Sequence, residues 1–223
     1  MNKILVFLLA FGGILSATPV QVKYLNPGTP PVAHNGVYVG PYTLSINGVS
    51  TPAMCMDDFL EVYNGDHWAA NVTAVKSSNL SSTYLGSGDL GSTSRKIFGQ
   101  NYTSNQVYTA EAYLFSLLTK PDADRVNIQE AAWAIMDAST MTSIVKSKNL
   151  AVESYVQMAF NNLSFDAQYF RIISQTGLYS GNSKQEFMVV STPEPASIAL
   201  FGSGIFAVGL AGFIRRRKPE GAA

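Results

Sequence analysis

Charge is scarce in this chain. Asp, Glu, Lys and Arg together are 13% of 223 residues, against roughly 25% in ordinary soluble domains. Low charge with 47% hydrophobic residues excludes a disordered chain, which needs the opposite balance. Fifteen basic residues against fifteen acidic ones leave no domain-wide positive excess, so a nucleic-acid binder is excluded as well. There is a single cysteine, Cys55, and no internal disulfide can form. Two histidines, His34 and His67, are all the imidazole available. No phosphate-binding Gly-rich loop, no Gly-x-Gly-x-x-Gly and no His-Glu-x-x-His is present, and the sequence calls for no cofactor, metal or catalytic residue.

What is present begins at the two ends. Met1-Asn2-Lys3, the apolar run Ile4 to Leu15 and the small pair Ser16-Ala17 have the three regions of a secretory signal peptide over residues 1–17. At the other end, Thr192-Pro193-Glu194-Pro195-Ala196-Ser197 precedes the uncharged stretch Ile198 to Ile214, and Arg215-Arg216-Arg217-Lys218 follows. As a helix, 198–214 would be about 25 Å long, near the hydrocarbon thickness of a bilayer. The basic cluster would then stay on the cytoplasmic side. With these ends set aside, residues 18–190 are long enough for a core of their own and carry a small negative charge.

The ordered triplet of Pro193-Glu194-Pro195, apolar helix and Arg215-Arg216-Arg217 resembles the PEP-CTERM sorting signal of exported bacterial proteins. This tail is sometimes labelled an ice-binding-protein C-terminal domain, a label that describes the tail alone. The resemblance implies recognition of 191–218 by an exosortase-type transpeptidase at the membrane. It also implies removal of the tail and delivery to a Gram-negative envelope or extracellular matrix rich in exopolysaccharide.

The middle changes period part-way. Residues 26–35 read as an irregular lead-in. Strand-like runs follow at Gly36–Gly40, Tyr42–Ile46, Ala53–Val62 and Trp68–Val75, with turns at Asn47-Gly48 and Asn64-Gly65-Asp66. Residues 77–94 look like a loop. Helical spacing then appears over Val107–Leu118, Asn127–Asp137 and Ala151–Asn161. Gln168–Ser174 and Glu186–Val190 read as closing strands. The fold class expected is α+β: an antiparallel, barrel-like sheet with a helical insertion, flanked by the signal peptide and a transmembrane helix.

An odd thiol in an exported protein needs an account: dimerisation, modification or burial. Cys55 lies in Met54-Cys55-Met56-Asp57-Asp58-Phe59, and much later comes Ile128-Gln129-Glu130-Ala131-Ala132-Trp133. These segments resemble the thioester domains of bacterial surface adhesins. Those domains have a Cys, often followed by an acidic residue, and a later Thr-Gln-x-x-apolar-Trp motif opening a helix. The matching positions are Cys55, Asp57, Gln129, Ala132 and Trp133; Met54 and Ile128 stand where an aromatic or Leu and a Thr are usual. The resemblance implies an internal Cys55–Gln129 thioester, an electrophile held for an exopolysaccharide or a surface amine. Asn127-x-x-Glu130 has the form of a capping box. It would put Gln129 in a first helical turn, where free N–H groups favour thiolate and oxyanion.

Two other readings of Cys55 stand beside this one. It can be a small buried hydrophobe with Gln129 a polar helix-start residue, or the nucleophile of a Cys55–His67–Asp66 hydrolase. Asp57, Asp58 and Glu61 could face a calcium ion, although no twelve-residue calcium loop is present; a solvated strand edge is the plainer reading. Tyr38, Tyr42, Trp68, Tyr84, Tyr102 and Tyr108 are candidates for sugar stacking. The sorting expectation has a direct check. Intact-mass measurement of the exported, matured protein should return a chain without Arg215 to Arg217, and recovery of those arginines would contradict it.

Overall fold

The computed structural model describes residues 18–28, 30–34, 36–137, 149–177 and 183–191. The expected signal peptide and the expected transmembrane helix 198–214 lie outside these residues. Among the described residues no helix is long and apolar enough to cross a membrane.

Six strands close into an antiparallel barrel. In chain order the strands are β1 (Val20–Asn26), β2 (Val32–His34), β3 (Val37–Val39), β4 (Tyr42–Ile46), β5 (Val49–Cys55), β6 (His67–Ala74), β7 (Ser94–Ile97), β8 (Gln100–Thr103), β9 (Phe170–Gln175) and β10 (Phe187–Val190). The barrel order is β1-β4-β5-β10-β9-β6, with β6 returning to β1. β2–β3 and β7–β8 are separate two-stranded hairpins. Asn47 and Gly48 both have positive φ and join β4 to β5 in a two-residue turn, as Asn-Gly favours because its twist matches that of the strands.

Between β6 and β9 comes the helical insertion: α1 (Tyr84–Ser87), α2 (Ser104–Leu118), α3 (Arg125–Met136) and α4 (Leu150–Asn161). Thr103 and Gln106 form a reciprocal capping box at the start of α2, satisfying donors the first turn leaves open. The mixed class with a barrel and an insertion is therefore as expected. Three local expectations are corrected. The run Ala53–Val62 ends as a strand at Cys55, because Asp57 turns the chain by accepting a hydrogen bond from Leu60 N–H. The lead-in 26–35 contains β2, and the loop 77–94 contains α1, capped by Thr83.

Side-chain alternation divides the core in two. Ala53, Cys55, Ile173, Phe187 and Val189 point into the barrel with Val22, Tyr24, Tyr42, Leu44 and Trp68. Met54, Met56, Ile172 and Met188, on alternate positions of the same strands, face the helices and pack with Leu114, Phe115, Ile128, Ile135 and Val156. With both faces covered, Ala53–Cys55 at the end of β5 and Phe187–Val189 of β10 have no polar face. One residue breaks the division. Trp133 of α3 belongs with the barrel interior, while its neighbours Ala132 and Ala134 belong with the helical layer.

Where β5 and β10 meet α2, three carboxyl groups are fully buried: Asp57, Glu111 and Glu186. Glu186 accepts from Tyr84 N–H and Tyr108 O–H at 2.9 and 2.7 Å and from the Ser174 hydroxyl. Asp57 accepts from Glu186 N–H at 2.7 Å. Neither carboxyl oxygen of Glu111 has a partner. Burial is the main cause that raises all three acids, taking Glu186 from 4.5 to about 7. A raised folded-state value means that the folded chain keeps protons the unfolded chain has released. The stability held at acid pH is thus lost as pH rises, for Glu186 between about 4.5 and about 7. Replacing Glu111 by Met removes an unpaired buried acid at similar volume. We expect Glu111→Met to raise the thermal midpoint by about 3 °C or more at pH 8, and by less at pH 5, in calorimetry.

Candidate functional site

Cys55 ends β5 and is fully buried inside the barrel. Gln129 sits on α3, also fully buried. The structure brings these two together: Gln129 Nε2 donates to the Cys55 backbone carbonyl at 2.6 Å. The other end of the same amide is held from the opposite side, where Gly40 N–H donates to Gln129 Oε1 at 3.2 Å. Both polar atoms of a buried amide are therefore satisfied, and its plane is fixed beside the cysteine.

The helix is placed differently from expectation. Asp124, not Asn127, is the N-cap, accepting from Asn127 N–H at 3.4 Å. Gln129 is therefore in the second turn, beyond the free N–H groups of the helix start. Instead Arg125, Gln129 and Trp133 recur every four residues and share one face, which meets β2–β3 and the barrel mouth. Arg125 reaches three backbone carbonyls of that region, Gly40 at 2.5 Å, Pro30 at 3.0 Å and Val39 at 3.2 Å.

The sulfur donates to the Asp57 backbone carbonyl at 2.8 Å. Burial, then the neighbouring Asp57 charge, push the Cys55 thiol well above its ordinary value, so it rests as a thiol and not as the thiolate expected at a helix start. The buried Trp133 indole N–H pulls in the other direction. It completes no hydrogen bond of ordinary geometry.

Asp57 contributes its carbonyl to the sulfur and its carboxylate to Leu60 and Glu186 N–H. Ala132 lies in the helical core away from the thiol. The hydrolase arrangement is not assembled in these contacts. His67 is exposed on β6, and Asp66 pairs with Lys184 at 2.6 Å. His34 pairs with Glu130 at 3.0 Å. Among the described residues no group of three or more His, Cys, Asp or Glu side chains could hold a metal ion. Of the aromatic candidates, Tyr42, Trp68, Tyr84 and Tyr108 are buried, Tyr102 packs on Phe160, and Tyr38 is exposed.

A cleft of about 590 Å³ lies beside this site, separated from it by its own lining, since neither Cys55 nor Gln129 lines it. Trp133, Tyr24 and Tyr42 line it and also pack around Cys55 in the barrel interior. Tyr38, Tyr63, Asp58 and Glu61 are further lining residues, and among the described residues no Lys or Arg lines it. Sequence reading missed Gly40, Arg125 and the cleft. The i, i+4, i+8 stripe of Arg125, Gln129 and Trp133 was the available signal. Compared with protein families, with characterised proteins and with solved structures, the chain has no match.

Truncating Gln129 leaves Gly40 N–H unpaired in the interior. In a Cys55→Ala background, so that no covalent bond contributes, adding Gln129→Ala should cost about 1–3 kcal/mol in chemical denaturation.

Proposed function

We propose that this protein is an exported surface protein that carries an internal Cys55–Gln129 thioester and uses it once to acylate a nucleophile. The observation that carries the reading is the buried Gln129 amide held at both ends, one of them on the backbone carbonyl of a buried cysteine that is in no disulfide. A glutamine whose only task is to fill a helix start has no need of a cysteine strand on one side and a hairpin N–H on the other. In bond formation, the Cys55 sulfur attacks the Gln129 side-chain carbonyl carbon. The carbon–nitrogen bond breaks, the thiol proton passes to the nitrogen, and ammonia leaves. The unpaired Trp133 N–H facing the sulfur favours negative charge there, both on the attacking sulfur and on its later departure.

The nucleophile enters by the cleft. Its aromatic and acidic lining, free of Lys and Arg among the described residues, suits a primary amine, whose ammonium form is attracted to tyrosine faces and carboxylates. As the free base, the amine attacks the same carbon. The carbon–sulfur bond breaks, a proton returns to sulfur, and the captured group is left in amide linkage to Gln129. Such a reaction consumes the electrophile, so the protein acts as an adhesive and not as an enzyme. The PEP-CTERM-like tail supports delivery by an exosortase-type system to envelope or matrix, where amine-bearing surfaces and exopolysaccharide are the candidate ligands.

Mass spectrometry of the full-length protein tests this. The native chain is expected to be lighter than its sequence by one ammonia, and methylamine should add at Gln129 while freeing one thiol. Cys55→Ala should show neither change. Full sequence mass with an amine-insensitive thiol would instead leave Cys55 a buried hydrophobe and Gln129 a purely structural bridge.

A further inference from the structure

We propose that the backbone N–H of Gly40 is the oxyanion donor of this site and that Arg125 is the positioning residue that holds it there. The inference rests on the thioester reading and adds the group that stabilises its transition states. Attack on the Gln129 carbonyl, by sulfur or later by an amine, moves a full negative charge onto Oε1. A donor already aimed at that oxygen is worth more in the transition state than in the ground state. Gly40 N–H stands 3.2 Å from Oε1 before reaction, a ground-state distance that shortens as charge develops on the oxygen. The free N–H groups at the start of α3 cannot serve, since Gln129 is a turn too far along and the Asp124 cap takes Asn127 N–H.

A side chain at this position would crowd the site. A Cβ at Gly40 would stand 2.9 Å from Gln129 Oε1 and 3.0 Å from Leu118 Cδ2. It would press on the very oxygen that must be approached. The donor sits in an irregular segment after β3, and such a segment needs an external hold. Arg125 supplies it through the carbonyls of Pro30, Val39 and Gly40. Its guanidinium fork makes three bonds at fixed angles, which an ammonium at the same place cannot reproduce. Because Arg125 and Gln129 are four residues apart on one rigid helix, the strap and the electrophile move as one body. The bond made and broken is that already described; Gly40 and Arg125 exchange no proton.

Two variants and two readouts on the full-length protein test this. Gly40→Ala obstructs the donor directly. Arg125→Ala removes the strap without touching a reacting atom and guards against a Gly40 variant that fails to fold. In both, ammonia loss after refolding and methylamine cleavage should slow by about tenfold or more. Arg125→Lys should recover only part of the loss. The thioester carbonyl stretch, taken as the infrared difference before and after methylamine, should lie at lower frequency in wild type than in Arg125→Ala. A merely structural role would not produce that shift. A wild-type chain that loses ammonia while Arg125→Ala matches it within twofold, with an unshifted carbonyl stretch, overturns this inference alone. A wild-type chain that never loses ammonia overturns the thioester reading and this inference together.

Discussion

One side-chain amide ties this molecule together. Gln129 donates to the strand that ends in Cys55 and accepts from the segment after β3. Helix, barrel and hairpin are thus joined through a single buried group. An amide left unpaired in that interior would be costly, so the folded state is favoured when the three elements meet within hydrogen-bond distance. The barrel supplies the enclosure. Trp133 fills its mouth from α3, and the cysteine is left without contact with water.

Enclosure carries a chemical cost. The same burial that would protect the proposed thioester pushes the Cys55 thiol up and keeps it protonated. Asp57 adds to this from two residues away, with its own carboxyl group held up by burial. Against these stand donors fixed in place, Gly40 N–H on the carbonyl oxygen and the Trp133 N–H beside the sulfur. The proposed thioester chemistry would draw on these fixed donors and not on a preformed thiolate. Its advantage comes from dipoles that need no reorganisation when charge appears.

Much of the architecture was legible in the chain. Asn47-Gly48 between two apolar runs placed the β4–β5 turn, and the periods of α2, α3 and α4 placed three helices to within a few residues. Cys55 and Gln129 were singled out by short motifs, and the Gln129 amide does reach the Cys55 backbone carbonyl. The rest was hidden for physical reasons. β7 and β8 form a largely exposed ribbon in which Ile97 alone is buried, too little to set an alternation. Ala53–Val62 looked like one strand because its apolar residues continue past Cys55 to serve different cores. The capping motif at Asn127 competed with Asp124, and tertiary contact of Arg125 with three carbonyls favoured the earlier start. Gly40 gave no sign, because what matters is its backbone N–H, and any residue but proline has one.

The place of β10 in the barrel has a mechanical meaning. The chain leaves the barrel from this strand, and β10 is hydrogen-bonded to β5 on one side and β9 on the other. If a cargo were joined to Gln129 and the chain beyond Val190 were attached to the envelope, both as proposed, the barrel would be loaded between those two points. Extracting an interior strand requires two antiparallel ladders to give way together, whereas an edge strand would peel from one. Tension would therefore meet β5, the strand that carries Cys55, as one of the two supports that hold the exit strand in place.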